Sequence, residues 1–275
     1  MLHGKLRVTA NVSNILVTDT RKTTSIIAQY FKAKRGIANG VVYAGGGLGG
    51  TAVSFMLNAL IDNVGIAWSF RILGSLILVT GLPAACLMKE RVPIQRARFV
   101  EWKLFKDVKF SLVFALGVLS TFPLFVPPFF LPLYSKSLGL SSATGAGLVA
   151  AFNFCSAIGR LGSGLACDKL GSLSTLFLTL VLSSISLMVM WPLSNSIGPL
   201  IAFIIINGIA NGGFFSTMPT VIGNVFGSAH VSVAMGMIVS GWVGGYLMVG
   251  FNSRNLTLLV LIFHDIGCAN CWIHS

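Results

Sequence analysis

Between Leu170 and Ser253 the chain has no Asp, Glu, Lys or Arg at all. Charge is scarce elsewhere too: ionic residues make up 9% of the 275, where a soluble domain carries about 25%. That scarcity excludes an ordinary water-exposed surface. No paired carboxylates, catalytic triad or Walker sequence is present, so nothing points to an enzyme or to a cofactor. A secretory signal is also lacking, since Met1–Thr24 is polar and has no continuous apolar core. The first apolar segment must then act as its own insertion signal. Cysteine is sparse, and Cys86, Cys155 and Cys167 lie in or beside apolar segments. Thiols there are small packing groups more often than disulfides.

What the chain does have is apolar length. Hydrophobic residues fill 55% of it and the mean hydropathy is +0.86. They gather into seven segments, near Ile37–Ile61, Ile66–Met88, Phe110–Tyr134, Ser142–Ala166, Leu173–Met190, Leu200–Ile222 and Val231–Phe251. About 20 such residues cross a bilayer as a helix. In hydrocarbon no water satisfies a backbone N–H or C=O, so each segment must be helical. The fold class expected is all-α: a multi-span helical membrane protein with about seven transmembrane helices. Its first partner is the lipid bilayer, of the plasma membrane or an internal one.

The net charge of +12 suggests nucleic acid only until its distribution is followed. The N-terminal arm holds Lys5, Arg7, Arg21, Lys22, Lys32, Lys34 and Arg35. The loop after span two holds Lys89, Arg91, Arg96, Arg98, Lys103, Lys106 and Lys109, and the loop after span four has Lys169. The loops on the other side hold Lys136 alone. Short basic loops stay in the cytosol, which places the N-terminus there. A nucleic-acid protein gathers its basic residues on one folded domain, and this chain does not.

These features divide the chain into a basic arm (1–36), two spans (37–88), a cytosolic linker (89–109), five spans (110–251) and an atypical tail (252–275). In the linker Trp102 and Phe105 interleave with basic residues, which suits either a helix lying on anionic headgroups or a solvated connection. Spans three to seven are expected to form one compact unit, with spans one and two packed poorly against it. Span three carries Pro123, Pro127, Pro128 and Pro132, which predicts a bent helix.

Span one is lined by Gly36, Gly40, Gly45, Gly46, Gly47, Gly49 and Gly50. Small residues four apart let membrane helices approach closely, and Gly208 with Gly212 and Gly241 with Gly245 repeat that spacing. The string Gly45–Gly50 also fits a dinucleotide pattern. That chemistry requires a strand, a tight turn and a helix start, whereas here the glycines sit mid-span. Helix packing is the better reading. In the tail, His264, Cys268, Cys271 and His274 have a spacing compatible with zinc, but nothing around them resembles a small metal domain, so no metal is expected. The sequons at Asn11 and Asn255 are equally unspecific.

Two cations fall within spans. Arg71 lies a turn or so into span two, near the outer surface, where a long side chain reaches the interface. Arg160 lies deeper, in span four, where a guanidinium costs about 2.5 kcal/mol or more unless it faces a polar cavity. Asn153 and Ser156 precede it on the same helical face. That stripe reads either as a lined pathway or as a local anchor, with Arg160 paired to Asp168 two turns on. Asn207 and Asn211 form a second stripe on span six. Interhelical hydrogen bonds are the first reading for them, and substrate contact the second.

The run Gly164-Leu165-Ala166-Cys167-Asp168-Lys169-Leu170-Gly171 resembles the loop motif of the major facilitator superfamily, with Ser172 and Leu173 where the family has further basic residues. Ala28–Gly50 and Ala67–Gly74 resemble the fungal monocarboxylate-porter-like branch, and Arg160 followed by Leu-Gly-Ser-Gly resembles its helix eight. Val231–Met248 resembles helix eleven. The resemblance implies that Gly164, Asp168, Lys169 and Gly171 belong to a gating loop, and that Arg160 receives a substrate carboxylate. Ser156 stands where the branch has a proton-coupling Asp. The function implied is carriage of small organic anions such as monocarboxylates, with or without a proton, by alternating access.

Only helices five to eleven find counterparts, so the expectation is a partial bundle, an incomplete chain that does not transport as it stands. Two rivals belong to other classes. A seven-helix receptor needs its N-terminus outside, against the basic-residue bias, and a membrane remnant inserts without transporting. Seven spans from a cytosolic start place the tail outside. Cys268 and Cys271 should therefore react with an impermeant maleimide on intact cells; labelling only after permeabilisation contradicts this topology.

Overall fold

The computed structural model describes residues 34–87, 102–194 and 196–251, and all their regular structure is helical. In chain order these are α1 (Arg35–Val64), α2 (Ile66–Leu87), a 3-10 turn (Trp102–Lys106), α3 (Val108–Ser137), α4 (Ser142–Leu170), α5 (Ser172–Ile185) and α6 (Ile197–Phe251). A π-helical turn, Ser186–Met190, extends α5. Among the described residues six helical segments are long and apolar enough to cross a bilayer. The basic arm up to residue 33, most of the linker and the tail from residue 252 lie outside the described residues, and with them both sequons and the tail histidines and cysteines.

Local chemistry sets the boundaries. The Asp107 carboxylate accepts from the Lys109 N–H at the start of α3, and the Ser141 hydroxyl accepts from the Thr144 N–H at the start of α4. Each satisfies a donor that the first helical turn leaves without a partner. At the far end of α4, Gly171 takes φ 91° and redirects the chain into α5. The 55 residues of α6 would run about 80 Å if straight, far more than a bilayer core of about 30 Å. Gly227, at φ 74° and ψ 168°, breaks the element into two arms. They correspond to spans six and seven, although the apolar helical stretch described in the second, Val233–Trp242, is shorter than a full span.

The organising element is α4. Its Gly159 backs directly onto the Ile209 backbone, and on α6 Gly208 and Gly212 lie against the backbone of Phe152 and Ser156. On another face α4 meets α1 through a second seam of small residues. A side chain at Gly40 would begin 2.6 Å from the Arg160 carbonyl oxygen, and one at Gly47 would meet Ala157 at 2.9 Å. Lipid supplies no hydrophobic drive between spans, so such close approach, with its dense van der Waals contact, is what holds them. Buried hydroxyls reinforce it: Ser163 Oγ and Ser216 Oγ share a hydrogen bond at 2.7 Å, and Asn39 donates to Thr220 Oγ1 at 2.9 Å. Two buried apolar clusters fill the interior of the bundle. Phe110, Phe214 and Trp242 belong to one, and Tyr134, Phe152 and Phe203 to the other.

Two expectations are corrected. Span one does not pack poorly on the later spans: α1 and α4 form the most extensive helix pair among the described residues, because glycines of α1 meet Gly164, Ala157 and the Arg160 backbone of α4. Span two fits the expectation better, with only modest contact from α2 to α1. The second correction concerns Phe105. It does not lie out on a headgroup-facing helix but turns inward, its ring edge-on to Phe110 at 5.1 Å and to Phe114 at 5.2 Å, while Trp102 alone stays exposed.

The seam can be tested at Gly164, where an added Cβ would sit 2.6 Å from the Gly36 carbonyl oxygen and 3.2 Å from Gly40 Cα. Gly164→Val should destabilise the protein in detergent by about 1–3 kcal/mol, the usual cost of overpacking. Gly49→Ala, where a Cβ would meet open space, should be nearly neutral. Equal melting temperatures for the two variants contradict a seam built on glycine.

Candidate functional site

A cavity of about 340 Å³ opens between α3, α4 and α6. Its polar lining comes from Asn153, Ser156 and Arg160 on α4 and Asn211 on α6. Phe125, Pro128 and Phe129 of α3, Phe152 of α4 and Phe215 of α6 supply the rest. Three of the four α4 residues recur at intervals of three or four, which a helix places on one face.

Arg160 is the charge in this cavity. Its Nη1 donates to the Tyr43 carbonyl of α1 at 2.6 Å, and the guanidinium carbon lies 5.8 Å from the centre of the Phe215 ring. The glycines explain how α1 offers that carbonyl. A Cβ at Gly46 would sit 3.1 Å from Arg160 Nη1, so a larger residue would crowd the guanidinium away. Nε is enclosed and has no hydrogen-bond partner. Among the described residues no carboxylate pairs with Arg160. The local-anchor reading is thereby corrected, because Asp168 is engaged elsewhere. Its Oδ1 accepts from the Gly36 N–H at 2.9 Å and its Oδ2 from the Ile37 N–H at 3.0 Å. A carboxylate on two orphan amides at the positive end of α1 is well placed without any arginine.

Ser156 is fully buried and its hydroxyl lacks a partner. Asn153 reaches α1, donating to Ser54 Oγ at 3.4 Å. Asn211 donates to the Leu124 carbonyl of α3 at 2.7 Å. That carbonyl needs a donor from outside its helix, because the residue four positions on is Pro128, which has no N–H. Asn211 thus repairs a proline defect while its side chain lines the cavity. Asn207 is separate from the cavity. Its amide donates to Ser186 Oγ at 2.7 Å, at the start of the π-helical turn, so it serves an α5–α6 contact.

Of the motif residues, Gly164 packs on the α1 backbone, Asp168 caps α1, Lys169 is exposed at the end of α4, and Gly171 makes the turn. The site residues that sequence reasoning missed are the Tyr43 and Leu124 carbonyls and the aromatic walls. Pro128 did carry a signal for Leu124, since every helical proline frees the carbonyl four residues earlier. Arg71 stays away from the cavity and is exposed, with its guanidinium carbon 4.9 Å from the Trp68 ring centre.

Fold and site together define a polytopic helical membrane protein with a polar cavity between its spans. The chain belongs to the major facilitator superfamily, whose model matches residues 23–250. It is similar to an aspyridones efflux protein of Emericella nidulans, 31% identical over 219 residues, covering 78% of this chain and 45% of that protein. An MFS-type transporter of Aspergillus niger is 31% identical over 208 residues, covering 74% and 48% respectively. An agnestins efflux protein of Paecilomyces divaricatus is 29% identical over 245 residues, covering 84% and 56%. The chain spans about half the length of the curated relatives it matches. These relatives carry the names of transporters, not of enzymes.

The link between Asn211 and Pro128 predicts a coupling. Asn211→Leu should cost about 1–3 kcal/mol by orphaning the Leu124 carbonyl. In a Pro128→Ala background, where residue 128 regains its N–H, most of that cost should vanish. Additive effects in this double-mutant cycle, read by unfolding in detergent, contradict the assignment.

Proposed function

We propose that this protein is a transporter of the major facilitator type for small organic anions such as monocarboxylates, with Arg160 as the residue that receives the carboxylate. The carrying observation is that Arg160 lines a cavity without a carboxylate partner from the described residues. A guanidinium at membrane depth needs an acceptor beyond one neutral carbonyl. Tyr43 takes Nη1, and a planar, two-oxygen ligand would meet the guanidinium along its other edge, Nε and Nη2, once the enclosed Nε is uncovered. A carboxylate matches that edge with two parallel hydrogen bonds.

Ser156 and Asn153 flank the guanidinium and would orient the ligand. Ser156 offers a hydroxyl and no titratable carboxyl, so a proton that accompanies the anion travels through another group. The Asp168 cap is the natural point of release for alternating access. It ties the end of α4 to the start of α1 through two hydrogen bonds, and Arg35 adds a third tie to α6, donating to the Gly223 carbonyl at 3.0 Å. Breaking these contacts lets the helices part at that end, where Gly36 meets Gly164, while the seam persists at Gly40 and Gly47. The printed names of two relatives, efflux proteins for aspyridones and agnestins, support export as the direction.

Lysine keeps the charge of Arg160 but loses the fork. Arg160→Lys should insert and melt like the parent, yet bind a radiolabelled monocarboxylate in nanodiscs about tenfold to a hundredfold more weakly, the loss expected for one or two charge-assisted hydrogen bonds. Parent-like binding in the variant rules out the bidentate role.

A further inference from the structure

Resting on the assignment of Arg160 as the anion receiver, we propose that the ligand's body is a planar aromatic or conjugated ring system, so that the site takes an aromatic organic acid in preference to a short aliphatic one. Apart from the polar stripe, the cavity wall consists of four phenylalanines and one proline. A cavity of about 340 Å³ has room for far more than a two- or three-carbon acid. Such an acid would fill the guanidinium edge and leave the ring wall in contact with water. A flat ring attached to the carboxylate would cover the wall and remove that area from water.

The rings are held in fixed relative orientations. Phe125 meets Phe215 edge-on at 5.6 Å and Phe129 at 6.3 Å with a 45° tilt, and Phe215 is backed edge-on by Trp242 at 5.5 Å. Interlocked rings present faces and edges in set directions, which favours a partner with its own face and edge over a flexible chain. The guanidinium lying near Phe215 joins the two halves of the site, charge at one end and ring wall at the other. Phe129, 58% exposed, is the most accessible of the four rings.

Three probes separate the claims, using calorimetry on the whole chain in nanodiscs. 2-Naphthoate supplies ring and charge, decahydro-2-naphthoate keeps the charge and bulk without the aromatic faces, and 2-naphthamide keeps the rings without the charge. Naphthoate should bind about tenfold more tightly than its saturated analogue, as two aromatic pairs predict. Phe129→Leu should narrow that preference severalfold. Equal affinity for the two acids overturns the aromatic proposal while leaving the anion reading intact. Equal affinity for naphthoate and naphthamide, or no binding of either acid, overturns the anion reading and this proposal with it. An unchanged preference in Phe129→Leu, together with unchanged preference in Phe125→Leu, removes the wall from the ring-binding role.

Discussion

The bundle depends on how closely α1 and α4 approach each other. In a bilayer, apolar side chains gain nothing by leaving lipid for a neighbouring helix, so backbone proximity and dense contact must do the holding. Gly36, Gly40 and Gly47 on one helix face Gly164, the Arg160 backbone and Ala157 on the other. That approach has a second result. It brings the Tyr43 carbonyl within 2.6 Å of Arg160 Nη1, fixing the one cation of the cavity with a neutral acceptor. The packing seam and the charged site are thus one arrangement. A bulky residue at Gly46 would disturb the guanidinium as directly as one at Gly164 would disturb the helices.

The same economy appears across the cavity, where α3 and α6 meet. Pro128 deprives Leu124 of its helical donor, and Asn211 supplies the missing hydrogen bond from α6. A proline that would otherwise weaken α3 becomes an attachment point for a polar side chain on the cavity wall. At one end of the bundle, Asp168 does similar work for the first turn of α1. In each case an unsatisfied backbone group at membrane depth or at a helix end recruits a polar residue from another span. Polar residues in the bundle therefore mark places where the backbone is incomplete as well as candidate places for a ligand. Asn207 belongs to neither kind: its amide donates to the Ser186 hydroxyl, a side-chain contact beside a π-helical turn.

This duality explains how far the sequence could be read. The helices followed from the length of the apolar runs, since hydrocarbon permits no other backbone form. Arg160, Asn153, Ser156 and Asn211 were legible as candidates because polar groups in such runs are costly, and the structure brings all four to one cavity. Their partners were not legible. Periodicity shows which face of α4 is polar but not which helix lies against it, so Asp168 was a plausible mate for Arg160 until Gly36 and Ile37 proved to hold it. Glycine spacing announced close contact for α1 without saying that the contact was with α4, and the opposite guess, a loosely attached first span, followed from the length of the intervening linker. The phenylalanine walls were hidden for a different reason. In a chain with 20 phenylalanines, ring residues carry no signal until their positions in space are known.

The central claim is that the Arg160 guanidinium lines a cavity and receives an anion along its Nε–Nη2 edge. The most direct measurement is the ¹⁵N–¹H signal of the Arg160 side-chain Nε group in nanodiscs, identified by its loss in a Gln substitution and followed as a carboxylate is titrated in. The account predicts a saturable downfield shift of the Nε proton and slower exchange with water, with the Arg71 signal unmoved. A titration that leaves the Arg160 signal unchanged, or moves it and Arg71 alike, would contradict it.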